Sequence, residues 1–256
     1  MFPYHDENEA RRTPVVTYAF IALNVFTWIS VQGAGSTLAL ARSVCELGLI
    51  PGELTGMLPP GTPFPMGEGL VCLTDPGRQV LNVFTSMFLH GGWMHLLGNM
   101  WFLWIFGNNI EDSMGHARFV VFYLACGVAA ALAQVVVDPD SGIPMVGASG
   151  AISGVMGAYL VLYPRVRVWA LVPIGIIPVS VPLPAWTMLL YWAALQFVGG
   201  LFGITAEERG GVAFFAHLGG FVAGAVLVKL FASPNDVKAH RAGHWEPRRA
   251  AGRGWS

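Results

Sequence analysis

Charge is what this sequence has least of. Only 11% of its 256 residues are Asp, Glu, Lys or Arg, where a soluble domain carries about 25%. Hydrophobic residues make up 54%, and the mean hydropathy is +0.57. The shortage is uneven: residues 13–41, 79–110, 119–137, 141–164, 168–206 and 210–228 hold no charge at all. Without acids there, an aspartyl mechanism, which needs two carboxylates at one site, is excluded. No His-Glu-x-x-His occurs, since His90-Gly91-Gly92-Trp93-Met94-His95 has neither the spacing nor the acid; a zinc peptidase is excluded and no metal or other cofactor is expected. There is no basic face interleaved with aromatics, so nucleic acid is not an expected partner. The N-terminus lacks the basic, apolar and small-residue order of a cleaved signal, so the first apolar run is expected to stay in the protein.

What is present is apolar length. A helix needs about 20 apolar residues to cross the hydrocarbon, and the uncharged runs allow six crossings, at about 15–33, 92–110, 119–137, 147–163, 185–204 and 212–229. The expected fold is an all-α membrane protein, a six-helix bundle with a large Pro- and Gly-rich outer loop between spans 1 and 2. Pro173, Pro178, Pro182 and Pro184 crowd the first half of 168–206, which is expected to be an interfacial connector because proline breaks helices. The domains expected are a cytoplasmic segment 1–14, the six-span domain 15–232, and a disordered basic tail 233–256 near anionic lipid. With both termini on one side, that side holds eleven of the Lys and Arg residues and the other holds Arg42, Arg78 and Arg209. Positive residues stay inside. Both termini are therefore expected in the cytoplasm of a multi-pass protein of the cell membrane.

In this topology spans 2, 4 and 6 enter from the outer side. They carry His95 and Asn99, Ser149, and His217 at similar depth. Each has a bland reading. Ser149 lies in the small-residue run Gly147-Ala148-Ser149-Gly150, with Gly154 and Gly157 beyond, which suits close helix packing. His95 and Asn99, four apart on one helix face, would also suit an interhelical hydrogen bond. An intramembrane histidine, however, is expensive and points to function. A serine nucleophile needs a base within hydrogen-bond reach, and His217 is the intramembrane base outside the His95/Asn99 face. Glu207 and Glu208 are too far along a helix to orient its ring, so the expectation is a dyad and not a triad. His95, Asn99 and the Ser149 backbone N–H supply donors for an oxyanion. Together the residues match a Ser-His dyad better than packing alone.

These residues resemble those of a bacterial rhomboid, an intramembrane serine protease. The matching pieces are His90-xxxx-His95-xxx-Asn99, Gly107-Asn-x-x-Glu111-xxx-Gly115, Gly147-Ala-Ser149-Gly150 and Ala216-His217-x-x-Gly220-xxx-Gly224, with Arg11-Arg12-Thr13-Pro14-Val15 at the front. The resemblance implies Ser149 as nucleophile, His217 as base, and His95 and Asn99 as oxyanion donors, acting through an acyl-enzyme. It implies transmembrane protein substrates within the lipid bilayer, and a site open to the outer side. Gly220 and Gly224 would bring span 6 against span 4, beside Gly147 and Gly150. Span 5 would move aside for substrate, under a loop at 203–215 with Gly210-Gly211 as hinge. Two positions depart from the family. Leu81 and Asn82 replace a Trp-Arg pair of the outer loop, and Ser153 stands where some members stack an aromatic on the base. The Ser153 hydroxyl is expected to hold His217 instead.

Cys45 and Cys72 both fall in the outer loop and either bridge, if that face is oxidising, or remain two buried thiols; Cys126 is expected to be inert packing. Two other functions compete with the endopeptidase. A non-catalytic protein on the same scaffold would lack Ser149 or His217. A transporter would show intramembrane acids or a repeated half, and neither is present.

Overall fold

The computed structural model describes residues 1–67, 69–75, 79–175, 177–205 and 213–244. The chain runs β1 (Phe2–Asp6), α1 (Val15–Ser30), α2 (Thr37–Leu47), α3 (Pro51–Thr55), β2 (Pro63–Gly67), β3 (Leu70–Leu73) and α4 (Gln79–Thr85). It continues through α5 (Trp93–Met114), α6 (His116–Val137), α7 (Ser149–Leu162), β4 (Arg167–Ile174), β5 (Ile177–Pro184), α8 (Ala185–Thr205), α9 (Phe214–Phe231) and α10 (Pro234–His244). The protein is mostly helical. Among the described residues, His116–Val137, Ala185–Phe202 and Phe214–Phe231 are long and apolar enough to cross a membrane, and Val15–Ser30 and Ser149–Leu162 are shorter apolar helices. The expected hinge Gly210-Gly211, Glu207, Glu208 and the basic residues Arg248, Arg249 and Arg253 lie outside the described residues.

The bundle is held by aromatic and small-residue packing. Phe20 of α1 stacks on Tyr123 of α6 with centroids 4.3 Å apart, and Phe106 of α5 meets Tyr159 of α7 edge-on at 5.0 Å. Large apolar side chains such as Phe26, Val136, Phe202 and Leu230 face outward, as they do where the surroundings are lipid and not water.

The expectation of an all-α chain is corrected in two places. The connector 168–184 is an antiparallel hairpin, and β1 adds to it to give the order β1-β4-β5. The prolines explain how. Pro178, Pro182 and Pro184 lie on β5, an edge strand that tolerates missing N–H groups. Central β4 carries Pro173 alone, opposite Pro178 and beyond the stretch Val168–Leu171 that β1 pairs with. A second hairpin, β2–β3, lies in the loop between α1 and α5. That loop is tied to α2 by a Cys45–Cys72 disulfide, with Cα atoms 5.6 Å apart. Asn82 is buried there and donates to the Gly48 carbonyl at 2.9 Å, which pins the loop where the family's Trp-Arg pair is missing. Peptide masses with and without reductant should differ by one disulfide linking Cys45 and Cys72. Closing a loop of this length stabilises the fold by roughly 3–4 kcal/mol in the chain-entropy account, so reduction should lower the melting temperature in detergent; identical masses would refute the bridge.

At the end of the bundle where α5 finishes, the polar termini are strapped down. Glu111 accepts from the backbone N–H groups of Val16 and Thr17 and from the Thr17 hydroxyl, capping α1. Free N–H groups at a helix start need such a partner. His240 of α10 is buried between Asp112 and Asn8 at 2.6 and 2.8 Å. Thus the tail expected to be disordered from 233 onward is helical over Pro234–His244, because Asp112 and Asn8 give it polar partners.

Asp6 belongs to the same strap. It accepts from the Tyr159 hydroxyl at 2.6 Å and from the Asn109 amide at 2.8 Å. Burial pushes its carboxyl up to about 7, a rise that those hydrogen bonds only partly offset. A carboxyl whose pKa is raised by folding adds stability that is complete below the unfolded value and is lost as pH climbs through the folded one. The strap should therefore loosen between about pH 4 and pH 7. Wild type should melt several degrees lower at pH 8 than at pH 5, and Asp6→Asn should flatten that difference, both read by thermal denaturation in detergent.

Candidate active site

Helices α5, α7 and α9 all begin at the opposite end of the bundle, and each brings a polar side chain into its first turns. Ser149 is the first residue of α7, so its side chain and the unpaired N–H groups of a helix start face the same space. His217 sits one turn into α9, and its Nε2 lies 2.7 Å from Ser149 Oγ. The other ring nitrogen, Nδ1, is 2.7 Å from Gln196 Oε1 on α8.

This meeting depends on a seam of small residues between α7 and α9. A Cβ added at Gly220 would overlap the Gly150 carbonyl, and one at Gly224 would overlap the Gly154 carbonyl. Gly157 approaches the Phe221 carbonyl in the same way, and Gly150 faces Ala130 of α6 at 2.6 Å from a notional Cβ. The two helices are thus in backbone contact.

His95 completes one wall. Its Nδ1 accepts from the Gly91 backbone N–H at 3.3 Å, which leaves the proton on Nε2. That Nε2 borders the space in front of Gly147. A Cβ at Gly147 would stand 2.8 Å from His95 Nε2 and 3.4 Å from Ser149 Oγ. The backbone there has φ +127°, so glycine is favoured on both counts. A side chain at position 147 would therefore wedge between the His95 ring and the Ser149 hydroxyl, which the glycine leaves facing the same space. Asn99 is buried, and its Nδ2 has no hydrogen-bond partner among the described residues, an orphan donor of the kind that marks a functional site. His95, Asn99, Ser149 and His217 line one cavity of about 870 Å³, together with Met156 and Trp192.

His90 is wholly buried with its ring 5.1 Å from that of His95. Gln32 holds the His90 backbone through both its amide oxygen and nitrogen at 2.8 Å, fixing the start of α5.

One expectation is corrected. Ser153 does not hold His217; its hydroxyl donates to the Ser149 carbonyl at 2.6 Å, the nearest acceptor one turn back in its own helix. Instead α8 supplies Gln196 and also Trp192, whose ring packs 5.9 Å from that of His217 with a 37° tilt. The sequence holds a signal for both. Gln196 is the one amide in the uncharged run 168–206, and Trp192 lies four residues before it on the same helix face.

Comparison with known proteins adds lineage to this geometry. Residues 77–234 match the rhomboid domain family model. Over 173 residues the chain is 27% identical to the mitochondrial rhomboid protein 1 of Saccharomyces cerevisiae, covering 64% of this chain and 47% of that one. It is 28% identical to RHOMBOID-like protein 1 of Arabidopsis thaliana over 221 residues, 85% of this chain and 52% of the relative. It is 41% identical to the rhomboid protease GluP of Bacillus subtilis over 78 residues, 30% of this chain and 15% of the relative. The chain thus spans about half or less of the length of these relatives.

Proposed function

This chain belongs to the rhomboid family and is a multi-pass membrane protein, and on that premise we propose that it is an intramembrane serine endopeptidase acting through Ser149 and His217. The observation that carries the reading is the 2.7 Å contact between Ser149 Oγ and His217 Nε2 at one end of a largely apolar bundle. Ser149 Oγ attacks the substrate carbonyl as His217 Nε2 takes its proton. The tetrahedral oxyanion is held by His95 Nε2–H, Asn99 Nδ2 and the backbone N–H groups at the start of α7. Collapse releases the amine, which leaves with the proton from His217, and the acyl-enzyme is then hydrolysed by a water that His217 deprotonates in turn.

The substrates are transmembrane protein segments. A helix in lipid hides its peptide bonds in its own hydrogen bonds, so a segment must unwind locally to enter the cavity. The six spans are α1, α5, α6, α7, α8 and α9, with both termini cytoplasmic and the site open to the outer side. The disulfide between Cys45 and Cys72, in the loop beside the cavity, supports that orientation, since bridges persist on oxidising faces.

The test is cleavage of a model transmembrane substrate by purified protein in detergent, paired with fluorophosphonate labelling. Wild type should cut and label at Ser149. Absence of both, or cleavage unaffected by a bound probe, would remove the serine-protease reading.

A further inference from the structure

The geometry points to Gln196 as the positioning residue of the base, the acceptor that fixes which nitrogen of His217 carries the proton. The inference rests on the Ser149–His217 reading and goes beyond it. A neutral imidazole has one N–H and one acceptor nitrogen. For Nε2 to accept the Ser149 proton, the ring's own proton must be on Nδ1, and a buried N–H needs an acceptor. No acid lies in the uncharged segments that carry the site. The Gln196 carbonyl oxygen, 2.7 Å from Nδ1, meets the need. It does so without burying a carboxylate in the bilayer, where a charge is costly.

Its setting is built to hold that contact. A Cβ at Gly199 would come 2.6 Å from the Phe214 ring, and one at Gly200 would come 3.1 Å from Phe215, so α8 lies close against the start of α9. Trp192, one turn before Gln196, packs against both His217 and Phe221. Ring plane and tautomer are therefore both set from α8. Any displacement of α8 from α9 removes the acceptor from the base, so the dyad is fully prepared only while α8 is docked.

Gln196→Leu removes the acceptor and Gln196→Glu retains one. In a detergent assay, Gln196→Leu should lose about 10- to 100-fold in kcat, by analogy with the loss on removing the orienting partner of a metal-bound histidine, with KM little changed. Gln196→Glu should keep most of the wild-type kcat. In wild type, ¹⁵N spectra of histidine-labelled protein should show His217 protonated on Nδ1, assigned by loss of the signal in His217→Ala. Equal kcat for wild type and Gln196→Leu would overturn the inference, and so would a folded Gln196→Glu as slow as Gln196→Leu. Should Gln196→Leu fail to fold, the wild-type spectrum decides, and a proton on Nε2 refutes the assignment. Ser149→Ala and His217→Ala run alongside separate the two claims. If either still labels with fluorophosphonate, the Ser149–His217 reading falls; if both lose labelling while Gln196→Leu labels at the wild-type rate, only the role of Gln196 falls.

Discussion

Replacing Ser149 with alanine is expected to lower kcat/KM for a transmembrane substrate by roughly 10⁴- to 10⁶-fold, as loss of the nucleophile does in serine proteases. Stability should barely change. Among the described residues the Ser149 hydroxyl has one side-chain partner, His217, and a single hydrogen bond contributes about 1 kcal/mol net. This pairing of outcomes separates catalysis from packing. If Ser149 were interhelical glue, Ser149→Ala would lower the melting temperature and leave any activity near wild type. The oxyanion side should show a smaller and graded effect: His95→Ala and Asn99→Ala should each cost about 10²- to 10³-fold. Asn99→Ala should not destabilise, because the amide nitrogen it removes has no partner among the described residues to lose. Kinetics and thermal melts on the same preparations read both quantities.

The residues that meet in the cavity were legible by type, because an apolar sequence makes every polar exception conspicuous. His95, Asn99, Ser149 and His217 could be singled out, and alternating topology set them at a common end. What topology could not supply was distance. The 2.7 Å contact between Ser149 and His217 requires the backbone contact at Gly220 and Gly224, and small-residue spacing suggests such a seam without fixing its partner. Gln196 shows the other limit. An uncharged amide in a long apolar run was visible, yet nothing local says that its helix lies against His217. The long-range strand pairing was hidden for a related reason. Phe2–Asp6 finds its partner in Val168–Leu171, and neither segment carries a pattern naming the other. Proline counting read 168–184 as an interfacial connector and not as strands, because it identifies which N–H groups are missing but not that an edge strand can do without them. The order in Pro234–His244 was equally hidden: its charge suggested solvation, while His240 is buried against Asp112 and Asn8.

Gly224→Val is expected to be the most damaging single change away from the reacting atoms. The added Cβ would overlap the carbonyl of Gly154, which belongs to the backbone of α7 and cannot rotate away like a side chain. The only relief is separation of α9 from α7, and those two helices carry His217 and Ser149 respectively. A misplacement of about 1 Å at a catalytic pair costs on the order of 10²-fold. Activity should therefore fall below about 1% of wild type even in molecules that fold. Stability should fall with it, since overpacking a close seam costs about 1–3 kcal/mol or more. Gly157→Val, which would press on the Phe221 carbonyl, should reproduce both losses from the other helix. Gly98→Ala on α5 is the control for stability: the new methyl meets nothing within 4 Å, and alanine is favoured over glycine in a helix by about 1 kcal/mol. If Gly224→Val melted and cut like wild type, the approach of α9 to α7 would not be what sets the distance between base and nucleophile.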